Sequence, residues 1–192
     1  MCIFAKTGYM TDVGFKRLET SINTNYVGLI SVRKGTDAED IKEHIDGYFT
    51  VHSSLLPDEF LNREYSFDVK EARKINRWDE NVNYNMVVVE LKNVNGRNGS
   101  LFGRQNYFIF EFENCWGVVN RKKLAKYIKS KVDPKYVESG HFVEKVSGVE
   151  VSPYVVYKRP NSETYGQRDD RFAYVPVQDL YDEGLVGFEI KK

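Results

Sequence analysis

Three side chains of this 192-residue sequence have the types and spacing for hydrolytic chemistry. Asp68 lies near the end of the alternating stretch Glu64 to Val69, and Glu90-Leu91-Lys92 closes the apolar run that begins at Tyr84. Side chains two apart on a strand point to one face, so Glu90 and Lys92 are expected to project together with Leu91 packed behind them. If the two strands are neighbours, Asp68 joins the pair. Two carboxylates and a backbone carbonyl then make a hard-oxygen site for Mg2+ or Mn2+, ions that keep several waters when bound. A lysine beside such a site can orient an attacking water or offset charge growing on a phosphate.

This arrangement resembles the PD-(D/E)XK nuclease superfamily, in which an Asp on one strand and a Glu-x-Lys on the following strand hold the catalytic metal. The likeness is carried by Phe67-Asp68-Val69, by Val87-Val88-Val89-Glu90-Leu91-Lys92 and by the strand-strand-helix series down to Val132. It implies an α/β (α+β) fold with a central mixed β-sheet flanked by helices, a restriction-endonuclease-like core. It also implies Asp68 and Glu90 as metal ligands, Lys92 as the third catalytic residue, and nucleic acid as substrate, with DNA favoured over RNA. Phe67 stands where the superfamily has its proline, and the upstream acid of the pattern falls to Glu43, Glu59 or Glu64. Asn- and Lys-rich usage points toward a phage-encoded member. The alternative is a non-catalytic binding or inhibitory protein, viral in origin, that uses the same scaffold only to bind.

Basic segments extend the expectation. Residues 120 to 132 contain Arg121, Lys122, Lys123, Lys126, Lys129 and Lys131 and no acid. On a helix with the apolar stripe Leu124, Ile128 and Val132, the remaining surface is a cationic ridge, and Lys122, Lys126 and Lys129 become candidate phosphate contacts. The competing reading of that ridge is a solvated face. Arg73, Lys74 and Arg77 follow Asp68 closely, and Lys158 and Arg159 open a polar loop beside Tyr157. These are the further candidate nucleic-acid contacts.

Composition sets the outer limits. Lys+Arg and Asp+Glu are equal at 28 each, so contacts with a polyanion must come from local patches rather than from net charge. The two cysteines, Cys2 and Cys115, and three scattered histidines exclude a disulfide framework and a zinc ribbon. Cys2 as an N-terminal nucleophile would normally be followed by small, glycine-rich sequence, whereas Ile3-Phe4 reads as strand. No phosphate-cradling glycine motif and no Gly-x-Ser-x-Gly elbow occurs. With no apolar run near the ~20 residues that span a bilayer, a cytoplasmic protein without a membrane partner is expected.

The elements that must position these residues follow from periodicity. A single domain over 1–192 is expected, with residues 1–50 a candidate N-terminal extension to a 51–192 core. A helix is read over Thr11 to Ile22 with Thr11 or Asp12 as cap, and a strand over Tyr26 to Val32. Thr36 and Glu39 form a capping box opening a helix from Asp37 to Ile45. Strands follow at Tyr48 to His52, Glu64 to Val69 and Tyr84 to Lys92, the last reading as a central strand buried on both faces. Gln105 to Phe112 and Trp116 to Val119 read as a hairpin, and Asn120 caps the basic helix. Beyond Pro134 the pattern holds a strand over Val149 to Tyr157, broken at Pro153. A polar loop over Lys158 to Arg171, a strand at Phe172 to Val177, a helical turn at Gln178 to Glu183 and a last strand at Leu185 to Ile190 complete it.

Overall fold

The strongest local signals in the chain become the elements they foretell. Glu39 N–H donates to Thr36 Oγ1 while the Thr36 N–H donates to Glu39 Oε2 at 2.8 Å, so the capping box satisfies two orphan donors and opens the helix Asp37–Glu43. The basic segment forms the helix Arg121–Lys131 with Leu124, Ala125 and Ile128 buried and its lysines outward. A computed structural model describes residues 8–54, 56–74, 81–132, 143–144, 151–158 and 169–192.

In chain order the described elements are α1 (Gly8–Asn25), β1 (Ile30–Lys34), α2 (Asp37–Glu43), β2 (Gly47–Val51), β3 (Glu64–Lys70) and β4 (Met86–Lys92). Next come β5 (Tyr107–Glu111), β6 (Cys115–Asn120), α3 (Arg121–Lys131), β7 (Val143–Glu144), β8 (Val156–Lys158), β9 (Arg171–Pro176), α4 (Val177–Asp182) and β10 (Val186–Lys191). This is a mixed α/β protein. No helix among the described residues is long and apolar enough to cross a membrane.

The chain divides into two compact units, each described by itself. The first comprises residues 1–71, 104–120 and 186–192 and holds a six-stranded sheet of order β1-β2-β3-β5-β6-β10. Residues 30–51 supply two of its strands, so this stretch is built into the sheet that carries Asp68. β3 pairs antiparallel with β2 and parallel with β5, and the β5–β6 hairpin is as expected. One face of this sheet is covered by α1, whose Phe15, Leu18 and Ile22 share a core with Phe49, Phe67, Val69, Ile109 and Val118. Phe15 stacks on Phe67 with ring centroids 6.1 Å apart. The helix begins earlier than predicted, and Thr11 and Asp12 lie inside it rather than at its cap. The first strand starts later, because Gly28 (φ 71°) turns the chain at Tyr26 to Leu29.

The second unit, residues 72–103 and 121–185, holds a four-stranded sheet of order β4-β9-β8-β7. Tyr157, Phe172 and Tyr174 pack with Val151, Met86 and Val88 on that sheet. Among the described strands β4 lies at the edge of its sheet and has alternating burial, where its apolar run predicts a central strand buried on both faces. In place of a full helix after Glu-x-Lys, a single 3-10 turn at Ser100–Phe102 packs near β4 and α3.

Candidate functional site

The first consequence of the topology concerns the site read from sequence. Asp68 lies on β3 in the six-stranded sheet, and Glu90 and Lys92 lie on β4 in the four-stranded one. The neighbouring-strand arrangement expected for these three residues is therefore not formed, because both edges of β3 are taken by β2 and β5 while β4 pairs with β9. Glu90 Oε2 accepts the Ser100 backbone N–H at 3.2 Å. A register shift between Glu90 and Lys92 also breaks the regular alternation expected to project both to one face.

What β3 brings to Asp68 is a different acid. β2 and β3 pair antiparallel with Gly47 opposite Phe67. One residue further along that register, Asp46 stands opposite Asp68. The Asp46 N–H donates to the Phe67 carbonyl at 2.9 Å, and the Gly35 N–H donates to the Asp46 carbonyl at 2.8 Å, so the sheet continues through this position. Gly47 makes the approach possible: a Cβ there would lie 2.6 Å from the Phe15 ring and 2.8 Å from the Arg33 carbonyl oxygen.

Strand alternation puts Phe67 and Val69 in the core under α1 and turns Asp68 and Lys70 to the other face. Lys70 Nζ is 2.7 Å from Asp68 Oδ2. The Val69 N–H, between them in sequence, donates to Asp46 Oδ2 at 2.7 Å. Asp46 and Asp68 are 6% and 2% exposed, so the two carboxylates meet almost without solvent, while the Lys70 side chain that joins them is 29% exposed. Asp68 Oδ2 is fully buried and, the ion pair aside, accepts no hydrogen bond of normal geometry among the described residues.

Burial first, and the charge of Asp68 second, push the Asp46 carboxyl up to about 8, against the opposing pull of Lys70 and of the Val69 N–H. Asp40 on α2 belongs to the same field. Its carboxyl is raised by partial burial and then by Asp68, while Lys70, His44 and contact with Asp46 act in the opposite direction. α2 delivers these groups: its capping box starts the helix, and His44 ends it in the left-handed conformation (φ 57°, ψ 48°), turning the chain into Ile45-Asp46.

Among the described residues no group of three or more His, Cys, Asp and Glu side chains is arranged to hold a metal ion. The donor set is instead a carboxylate pair, which suits an ion that keeps most of its waters, as Mg2+ does. Lys70 already brings one positive charge to the buried Asp68 oxygen, and the proton that Asp46 holds at neutral pH relieves the repulsion between the two carboxylates. No protein family, curated protein or solved structure matches this chain.

The other predicted residues are distributed as follows. Arg73 and Lys74 are exposed just after β3, with Arg73 bridged to Asn83. Lys122, Lys126 and Lys129 are exposed on α3, where Lys129 Nζ lies 5.1 Å from the Phe102 ring centre. Lys158 ends β8. Arg77 and Arg159 lie outside the described residues. Of the upstream acids considered, Glu43 pairs with Arg104 at 3.4 Å and Glu64 with Arg33 at 2.8 Å. A separate cavity of about 370 Å³ on the α1 side of the first sheet is lined by Val13, Lys16, Arg17, Trp116 and Lys192, with Arg17 and Lys192 both paired to buried Glu111.

The sequence did carry a signal for the observed cluster. Asp68-Val69-Lys70 has the same acid-x-lysine spacing as Glu90-Leu91-Lys92 and sits on the strand that already supplies Asp68. Asp46 gave no such signal, since it looks like one more acid at the end of an acidic helix.

Proposed function

We propose that the six-stranded unit is a divalent-cation-dependent nuclease centre in which Asp46 and Asp68 hold the cation and Lys70 acts on the attacking water. The observation that carries this reading is the buried pairing of Asp46 and Asp68 across β2 and β3 with Lys70 2.7 Å from Asp68. An Asp on one strand and an Asp-x-Lys on its neighbour is the pattern of the PD-(D/E)XK nucleases, here on residues other than Glu90 and Lys92.

Bound Mg2+ or Mn2+ supplies Lewis acidity toward phosphate oxygens. The chain supplies the rest. Val69 N–H fixes the orientation of the Asp46 carboxylate, so this ligand needs no reorganisation. Asp46 must lose its proton for the site to fill, and the raised pKa makes that loss depend on pH near neutrality. Lys70, its charge no longer needed to neutralise Asp68, is placed to orient a water and to offset charge developing on the phosphate. Nucleic acid is the substrate class this chemistry and the cationic ridge of α3 support together.

The Asp68–Lys70 ion pair also favours a second reading, a binding or inhibitory protein in which the pair is purely structural. Cleavage of a panel of single- and double-stranded DNA and RNA, with and without Mg2+ or Mn2+, separates the two. Divalent-dependent cleavage that is lost in Asp68→Asn supports the nuclease. Wild type that binds nucleic acid and cuts none of the panel assigns the chain to the second reading.

A further inference from the structure

The face of the six-stranded sheet that carries Asp46 and Asp68 also holds an ordered arginine. Val32, Phe49 and Tyr65 pack toward the core under α1, so strand alternation turns Arg33, Tyr48 and Glu64 to the opposite face. Arg33 on β1 pairs with Tyr48 on β2, and Tyr48 follows Asp46 by two residues. At about 3.4 Å per residue, these two positions stand about 7 Å apart along the sheet.

The guanidinium is held on one face and one edge. Its central carbon lies 3.8 Å over the centre of the Tyr48 ring. Its Nε and Nη2 donate to Glu64 Oε1 and Oε2, each at 2.8 Å, the bidentate fork that fixes an arginine in the plane of a carboxylate. The Tyr48 ring is anchored in turn, since its hydroxyl donates to Glu39 Oε1 at 2.5 Å and Glu39 belongs to the capping box of α2. The Arg33 side chain is nonetheless 54% exposed, with the face opposite Tyr48 as its solvent side. Exposed ion pairs add little stability, and fixing so long a side chain costs rotamer entropy, so stability is a poor account of this ordering.

Net charge is not what the arrangement offers. Glu39 and Glu64 bring two negative charges to one positive one, so a phosphate gains little here. What the surface presents is a flat, weakly hydrated guanidinium plane, on which unpaired bases stack. Bases inside a duplex are stacked on one another, whereas those of a single strand can be splayed out to offer a face.

We infer that the Arg33 guanidinium, backed by Tyr48 and pinned by Glu64, stacks against one unpaired base of a nucleic acid held at the Asp46–Asp68 centre, which makes single-stranded nucleic acid the substrate class. The inference rests on the nuclease reading for its ligand. Its signature is the opposite of a lysine on a phosphate: affinity that does not depend on salt.

The test uses the full chain in EDTA, so that binding is read without cleavage. Three labelled probes of about 12 nucleotides are titrated between about 50 and 200 mM salt: a single strand, its duplex, and a strand built wholly of abasic units. Wild type should bind the single strand more tightly than the abasic one. Arg33→Ala should weaken single-strand binding by about 5-fold or more, the loss expected for one stacked base, and leave the slope of log K against log salt unchanged. It should leave binding of the duplex and of the abasic strand at wild type. Arg33→Lys keeps the charge and loses the plane, so it should weaken single-strand binding as well. Melting temperatures report folding, and an exposed side chain should not move them. Wild-type affinity for the single strand in both variants overturns the inference. So does a loss that the abasic strand shares and that flattens the salt slope, which marks a phosphate contact. Failure of the nuclease reading is read separately. Arg33-dependent single-strand binding by a chain that cuts nothing in Mg2+ keeps the stacking contact and removes the nuclease, whereas Asp68-dependent cleavage with unchanged Arg33→Ala affinity does the reverse.

Discussion

The backbone N–H of Val69 donates to Asp46 Oδ2 at 2.7 Å, so the residue between Asp68 and Lys70 holds the acid of the adjoining strand. This single bond ties sheet register to chemistry. It forms only when β2 and β3 pair with Gly47 opposite Phe67, and a slip of one residue would turn Asp68 and Lys70 into the core beneath α1.

The two candidate metal sets are separable by substitution. Asp46→Asn and Asp68→Asn should each abolish Mn2+ binding measured by calorimetry, and with it cleavage. Lys70→Ala should leave Mn2+ binding within a few-fold of wild type while lowering turnover by about 10²-fold or more, the cost typical of removing one group that stabilises transition-state charge. Glu90→Gln should retain Mn2+ affinity. Loss of the ion in Glu90→Gln with retention in Asp46→Asn would reverse the assignment.

The protonation of Asp46 sets the pH response of the metal-free protein. Its carboxyl is raised in the folded state to about 8, so between roughly pH 4 and 8 the folded chain binds a proton that the unfolded chain releases. Stability from this group is therefore full at low pH and declines as pH rises through that window. Thermal unfolding in EDTA should show a midpoint that falls from pH 5 to pH 8, and Asp46→Asn should flatten the trend. Metal affinity should move the opposite way, rising with pH as the competing proton leaves.

Thr36 caps the helix that delivers Asp46. Thr36→Ala removes the acceptor for the Glu39 N–H and should cost about 1 kcal/mol in urea unfolding. Glu39→Gln tests the other half of the box. Hydrogen bonds from the Tyr48 hydroxyl and from Thr36 hold the Glu39 carboxyl down to about 2, so whatever this group contributes is present above the ordinary Glu pKa and lost only as pH falls toward 2. A destabilisation by Glu39→Gln that persists unchanged at pH 2 would contradict that account.

The ridge of α3 predicts a uniform electrostatic effect. Replacing Lys122, Lys126 and Lys129 together by Ala should weaken binding to every nucleic-acid sequence alike and flatten the salt slope by about 2 to 3. The melting temperature should stay near wild type, because all three side chains are exposed. Unchanged affinity would leave this face a solvated one. Ile128→Ala, on the buried stripe of the same helix, should instead cost about 2 to 5 kcal/mol.

Local pattern alone determined much of this protein. The capping box at Thr36 and Glu39, the buried stripe of α3, the β5–β6 hairpin and the strands carrying Asp68 and Glu90 were all legible, because each depends on residues a few positions apart. The tertiary structure decided which strands meet. β3 and β4 follow one another in sequence but belong to different sheets, so Asp68 finds Asp46 on β2's side rather than Glu90. Likewise Arg33 meets Tyr48 and Glu64 only through the pairings of β1 and β3 with β2. A strand's own residues specify which face is apolar and leave the identity of its neighbours open. That identity is chosen by the packing of α1 on one sheet and by long-range backbone hydrogen bonding, neither of which leaves a periodic trace in the sequence.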